Sequence, residues 1–166
     1  KPKSDHRLIN GVSTKDRIIS RGASLIAKAV ELSIDFGDAE IKKLLKNNEV
    51  LIFDEVQFFD LNSIKKLIDT AKATDKKIQL IFAGLDMDFR GEEFETVKFV
   101  KSISNEIIML RANCSVKGCE NKATHSSKIS GNKTQQVEIG GDNMYKPTCE
   151  KHHAEILNGI VFEFDK

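Results

Sequence analysis

Leu51–Asp60 reads LIFDEVQFFD. An apolar run ends in two adjacent carboxylates, Asp54 and Glu55, and an aromatic pair, Phe58 and Phe59, follows at once. Glu49–Phe53 (EVLIF) reads as a short buried strand, because its apolar run is continuous rather than alternating. Downstream, Leu61, Ile64, Leu67, Ile68 and Ala71 fall on one face of a 3.6-residue period and predict a helix. Asp60 or Asn62 is suited to cap it, since a short polar side chain satisfies free N–H groups of the first turn. Lys77–Gly84 (KIQLIFAG) predicts a second strand. Strand, helix and strand with short connections form a βαβ unit, which implies a parallel sheet with a right-handed crossover.

Outward from this unit, Asp38 is placed to cap a short helix holding Ile41, Leu44 and Leu45. Phe94, Val97, Val100 and Ile103 mark a further helix, and Glu106–Ala112 (EIIMLRA) reads as another strand. From Asn113 the composition shifts to Gly, Asn, Ser, Thr and Cys. The expected organisation is an α/β domain over 1–112, a small loop-rich unit over 113–153, and a tail over 154–166. The tail is either an edge strand or loose.

The chain of 166 residues is 40% apolar and 31% charged, enough for a globular core and unlike a disordered chain. A net charge of +1 gives no global electrostatic footprint for nucleic acid. No apolar run approaches the ~20 residues that span a bilayer, and KPKSDHRL at the start has no apolar segment of a signal peptide. Three cysteines cluster late, with histidines nearby. Without a secretory signal that pattern favours metal over disulfides. The expectation is a cytoplasmic protein with no nucleic-acid or membrane partner.

Ligands of open α/β sheets bind outside the carboxyl ends of the strands, where Asp54 and Glu55 fall. Adjacent acids there suit a Walker-B-like division of labour, one toward Mg²⁺ and the next toward a nucleophile. Neighbouring side chains on an extended segment point to opposite sides, so the pair is expected to serve different partners. The bland alternative is an Asp-Glu that merely ends a strand and starts a turn. Core packing is likewise the bland alternative for Phe58 and Phe59. Ala83–Phe94 (AGLDMDFRGEEF) carries Asp86, Asp88, Arg90 and Phe89 at the second strand's end, which predicts a shared crevice.

Cys114 and Cys119 form C-x4-C, and Cys149 and His152 form C-x2-H. Two such pairs fit a four-coordinate structural Zn²⁺ of Cys₃His type, in which four protein ligands leave no open position for catalysis. His153 is the alternative fourth ligand, through C-x3-H, and His125 the less favoured one. A loop too polar to build its own core gains from the metal what burial does not supply.

KPKSDHR, FDEVQFF, AGLDMDFRGEEF and the two knuckles with ATHSSK and EIGGDNMYKPTC between them together resemble the type II thymidine kinases, through nearly the whole chain. The resemblance implies a parallel-sheet P-loop-kinase (RecA-like) domain with a zinc-held lasso. It implies ATP- and Mg²⁺-dependent phosphorylation of the 5′-hydroxyl of thymidine or deoxyuridine in nucleotide salvage for DNA synthesis. On it, Glu55 is the general base, and Asp54 is the Mg²⁺ partner. Gln57, Asp5 and Arg7 fall on the cofactor side, with Arg90 on the phosphate side. Phe58, Leu85, Phe89, Ser126, Val137, Ile139, Gly140, Gly141 and Tyr145 line the nucleoside site. A homotetramer and feedback inhibition by thymidine triphosphate are implied in the same way.

The sequence departs from the family in two places. It contains no G-x-x-x-x-G-K-[ST] loop, and its first residues match a point after that loop. The expectation is therefore a longer chain with the first strand, P-loop and first helix upstream of Lys1, which a purified mass near 18.6 kDa would refute. The first knuckle is C-x4-C where the family more often has C-x2-C. Two rival functions are another Walker-B NTPase, such as a helicase-like motor, and a zinc-ribbon binding module on a non-catalytic α/β domain. The first needs a second motor domain and a basic nucleic-acid track, and neither is evident.

Overall fold

The computed structural model describes residues 29–131 and 143–165, together with the backbone of four short strands before them. These strands pair antiparallel: β1 (Leu8–Ile9) with β2 (Val12–Ser13), and β3 (Arg17–Ile19) with β4 (Ile26–Lys28). The chain divides into two compact units, Lys1–Leu85 with Glu95–Ile103, and Asp86–Phe94 with Ser104–Lys166. Among the described residues, no helix is long and apolar enough to cross a membrane.

In the first unit the predicted βαβ element is present. β5 (Val50–Phe53) pairs in parallel with β6 (Gln79–Phe82), in the register Val50 to Gln79 through Phe53 to Phe82. α2 (Leu61–Lys72) connects them. Asp60 is its N-cap: Oδ2 accepts the backbone N–H of Ser63 at 2.9 Å and the Ser63 hydroxyl at 3.2 Å. The predicted stripe faces inward, with Ile64, Leu67, Ile68 and Ala71 all buried. Truncating Leu67 to Ala would cost roughly 2–5 kcal/mol in such a site. Four phenylalanines join the chain segments around β5. Phe36 and Phe53 stack at 6.1 Å, Phe59 meets both edge-on, and Phe82 stacks on Phe53 at 5.4 Å. α3 (Glu95–Ile103) buries Val97 and Val100, and the Thr96 hydroxyl donates to the Phe59 carbonyl at 2.9 Å.

Three expectations are corrected here. β5 is not buried on both faces: Leu51 and Phe53 are buried, whereas Val50 and Ile52 are exposed, because helices cover one face only among the described residues. Asp38 does not cap α1 (Asp38–Asn47). Gly37 holds the cap position and its N–H donates to Glu40, while Asp38 enters the first turn and pairs with Lys66 at 2.6 Å. Glu106–Ala112 is not a strand. Its residues have no ladder partner among those described, and Ile107, Ile108, Met109 and Leu110 are exposed. Apolar β-formers make a strand only where a neighbouring edge accepts their backbone groups.

In the second unit β7 (His125–Lys128) pairs antiparallel with β8 (Tyr145–Thr148), placing Ser126 opposite Pro147 and Lys128 opposite Tyr145. α4 (Glu150–Leu157) follows β8 directly. The segment after it is bound, not loose. Phe164 bridges Val116, the Lys117 N–H donates to the Glu163 carbonyl at 2.9 Å, and the Asp165 N–H donates to the Ser115 carbonyl at 2.8 Å. The burial of Phe162 and Phe164 against Cys114, Val116 and Cys149 explains its alternating pattern.

Candidate functional site

The two acids of the first unit stand at the carboxyl end of β5, where the ladder is interrupted. In an unbroken parallel ladder Ala83 would give its N–H to Phe53 and accept the N–H of Glu55. Its N–H does reach the Phe53 carbonyl at 2.8 Å, but its carbonyl takes the N–H of Val56 instead, at 2.9 Å. Asp54 and Glu55 thus fill the place of one ladder residue, a bulge that re-aims side chains. Glu55 takes φ 54° and ψ 47°, and it is the only non-glycine with positive φ among the described residues. That conformation costs an L-residue roughly 1–2 kcal/mol. Val56–Phe58 then form a 3-10 turn.

Gln57 is buried beneath this bulge. Its Oε1 accepts the backbone N–H of Leu85 at 3.2 Å, and its Nε2 donates to Glu55 Oε2 at 2.6 Å. Both ends of the amide are therefore engaged within the first unit. Phe59 is the core member of the aromatic pair, and Phe58 is half-exposed. Leu85, at the end of the second strand, is exposed.

In the second unit the loop 86–94 closes on itself. The Asp88 N–H donates to the Glu92 carbonyl, the Gly91 N–H to the Asp88 carbonyl, and the Phe94 N–H to the Asp86 carbonyl. The Asp88 carboxylate is fully buried and accepts the N–H groups of Arg90 and Glu92 and two contacts from the Arg90 guanidinium, at 2.8–3.0 Å. Burial by itself would push this carboxyl up. The N–H groups of Glu92 and Arg90 and the guanidinium outweigh it and hold it below the ordinary carboxylate range. Arg90, assigned above to the phosphate side, is held in its own loop by Asp88 and by Glu92 at 2.8 Å.

Phe89 is buried beside β7 and β8. The Lys128 ammonium lies 5.0 Å from the Phe89 ring centre and 5.7 Å from that of Tyr145. Alternation along β7 puts Ser126 on the same face as Lys128. Two residues expected around a nucleoside, Phe89 and Tyr145, therefore flank a buried lysine that the sequence reading missed, and Ser126 shares its face of β7. Nothing in HSSK marked that lysine as buried. The opposite face carries Ser127, whose hydroxyl meets Thr148 Oγ1 at 2.6 Å and His153 Nδ1 at 2.8 Å. His153 also stacks on His125 at 4.0 Å. These contacts commit His153 to the β7–β8 face, and burial depresses its basicity.

His152 is the histidine that joins the cysteines. Cys114, Cys119, Cys149 and His152 have ligand atoms within 4.8 Å of one another. His152 Nδ1 lies 3.3 Å from Cys114 Sγ and 3.4 Å from Cys149 Sγ. A tetrahedral Zn²⁺ with bonds of roughly 2.0–2.3 Å sets its ligands about 3.5 Å apart, so the donor set fits that ion. The four-residue spacer of the first knuckle is absorbed by a turn: the Cys119 N–H donates to the Val116 carbonyl at 2.9 Å, with Gly118 at φ 76°. Cys149 sits at the N-cap of α4. Burial would raise its thiol, but the His152 N–H and its neighbours outweigh that and lower it, toward the thiolate a metal requires. Burial pushes the Cys114 thiol up.

The family model described as thymidine kinase matches residues 1–153. The chain belongs to the thymidine kinase family. A curated thymidine kinase of Mycoplasmoides gallisepticum is 37% identical over 130 residues, which are 70% of this chain and 56% of that protein. The chain thus spans little more than half the length of that relative. Of the residues the thymidine kinase resemblance singles out, Asp5, Arg7, Val137, Ile139, Gly140 and Gly141 lie outside the described residues. Asp54, Glu55, Gln57, Phe58 and Leu85 belong to the first unit, and Phe89, Ser126, Tyr145 and the metal ligands to the second.

Proposed function

We propose that this protein is a thymidine kinase that transfers the γ-phosphoryl group of ATP to the 5′-hydroxyl of thymidine or deoxyuridine. Family membership supports this reading, and the observation that carries it to particular residues is the bulge at Asp54 and Glu55. A bulged pair of acids at the carboxyl end of a parallel strand suits a division of labour, one carboxylate toward a metal–phosphate complex and one toward a hydroxyl. In this reading Glu55 accepts the 5′-hydroxyl proton and Asp54 faces Mg²⁺. Asp5 and Arg7 belong to the phosphate side. Phe58, Leu85, Phe89, Ser126 and Tyr145, with the backbone from Val137 and Ile139 to Gly140 and Gly141, surround the nucleoside.

The wider reading is a RecA-like P-loop kinase domain over 1–112, a lasso over 113–153 and a tail over 154–166. It is cytoplasmic, assembles as a homotetramer and is inhibited by thymidine triphosphate. Zn²⁺ held by Cys114, Cys119, Cys149 and His152 supplies structure, as a coordination sphere closed by four protein ligands does.

Turnover of radiolabelled thymidine with ATP and Mg²⁺ tests the proposal in the full-length protein. Glu55→Gln keeps the shape of the side chain and removes the base. A loss of roughly 10²–10⁴-fold in kcat is expected. Parent-like turnover by that variant would remove Glu55 from the mechanism, and no turnover by the parent would remove the function.

A further inference from the structure

We infer that Gln57 is a positioning residue that fixes the carboxylate of Glu55, and that Gly84 is glycine to make room for it. The inference deepens the kinase reading above and rests on it. A glutamate has three side-chain torsions, and its carboxylate points in a set direction only where neighbouring groups hold it. Gln57 supplies that hold from below. The orientation of its amide is chemically forced. The Leu85 backbone N–H can only donate, so the atom facing it at 3.2 Å is the oxygen. The nitrogen must then face Glu55, where it donates at 2.6 Å to Oε2.

The anchor on the far side is itself rigid. Leu85 follows β6, and Ala83 is tied on one side to Phe53 and on the other to Val56. The amide therefore links the ends of the two parallel strands through the carboxylate of one of them. Between the strands stands Gly84. A Cβ there would lie 2.3 Å from the Gln57 Oε1 and 3.1 Å from both the Val56 side chain and its backbone nitrogen. Real Cβ atoms essentially never come as close as 2.3 Å, so the amide would have to move, and the 3.1 Å contacts would require the buried Val56 to give by a few tenths of an ångström. Gly84 is thus a spacing requirement of the amide, independent of any need for unusual backbone angles.

The chemical consequence concerns the direction in which the carboxylate faces, since its Oε2 accepts the amide N–H at 2.6 Å. A base held by one oxygen presents the other in a fixed direction, and misplacement of about 1 Å costs on the order of 10²-fold in rate.

Two substitutions at Gln57 separate these contributions, with steady-state kinetics across pH on the full-length protein as the readout. Gln57→Met keeps the length and removes both hydrogen bonds. A fall in kcat of roughly 10²-fold with the thymidine KM within about threefold is expected. Gln57→Glu keeps an acceptor for the Leu85 N–H but faces Glu55 with a second negative charge. Its acid limb is expected to move to higher pH, as a like charge makes loss of the proton harder. Gly84→Ala is expected to reproduce the Gln57→Met phenotype by displacing the amide.

A merely structural role would lower the active fraction without moving the pH profile. An unmoved acid limb in Gln57→Glu therefore overturns the inference, and so does a Gln57→Met kcat within twofold of an active parent. Should Gln57→Met fail to fold, Gln57→Glu carries the test through its profile. A parent without thymidine turnover overturns the kinase reading and this inference with it, a result distinct from an active parent with indifferent variants.

Discussion

Asp88 has a carboxylate with no exposed surface, yet it is held ionised by three kinds of donor within its own loop. Its folded-state pKa lies below that of the unfolded chain. The stabilisation is therefore fully present above the ordinary carboxylate range of about 4 and is lost as the pH falls through the lower folded value. Asp88→Asn removes the charge and keeps the size. A loss of about 1–3 kcal/mol at neutral pH is expected, shrinking as the pH drops. Thermal melts of parent and variant from pH 7 to pH 3 check it, and curves that stay parallel throughout would count against the account.

At this scale the sequence was only partly legible. D-x-D-F-R showed a charged loop, but not that Arg90 is engaged by Asp88 and Glu92. Phe58 and Phe59 are chemically identical, and only the turn between Val56 and Phe58 separates the half-exposed ring from the core ring. The resemblance put Gln57 on the cofactor side, but nothing in the sequence showed its bonds to Glu55 and Leu85, because an amide's partners depend on how β6 ends.

The elements were easier to read where periodicity and caps agreed. α2 had an unbroken apolar stripe and an acidic cap, and both are present. Glu106–Ala112 had composition without a partner, and β5 lost half its expected burial for a related reason: burial belongs to what covers a strand, not to the strand itself. The metal cluster lies between these cases. Ligand spacing gave the three cysteines, and two adjacent histidines competed for the fourth place. The choice turned on α4, which starts at Glu150 and sends His152 toward the cysteines and His153 toward Ser127.

The lengthened first knuckle depends on one residue of its turn. Gly118 has φ 76°, and a Cβ there would meet nothing within 4 Å. Replacement is therefore a question of backbone strain alone. Gly118→Ala is expected to cost about 1–2 kcal/mol and to weaken metal retention, since the strained turn sets the Cys114 to Cys119 separation. Competition with a chromophoric chelator measures this. Metal release at the parent's rate would show that the turn adapts without strain.

For the whole molecule, the two units differ in what holds them together. The first has an all-apolar centre of Phe36, Phe53, Phe59 and Phe82 with the inner faces of α1 and α2. The second has short strands and a core that consists of Cys114, Val116 and Cys149, with Cys119, Phe162 and Phe164 packed around it. That core brings three thiols and the His152 ring together. Coordination of an ion by these four ligands would supply cohesion there, as in small domains whose folding free energy is metal-binding free energy. Such an ion would also tie down the start of α4, whose His153 meets Ser127 of the β7–β8 pair that carries Ser126, Lys128 and Tyr145. Chelation should therefore act selectively. Hydrogen exchange on the chelator-treated protein is expected to show loss of protection in 114–128 and 145–157 and in the docked segment 162–165. Amides of β5, β6 and α2 should keep theirs, because their hydrogen bonds and core involve no ligand residue. Equal loss in both units would mean that the phenylalanine core does not stand without the metal. Unchanged protection around Cys114 and Cys149 would mean that packing of Phe162 and Phe164 alone holds the second unit.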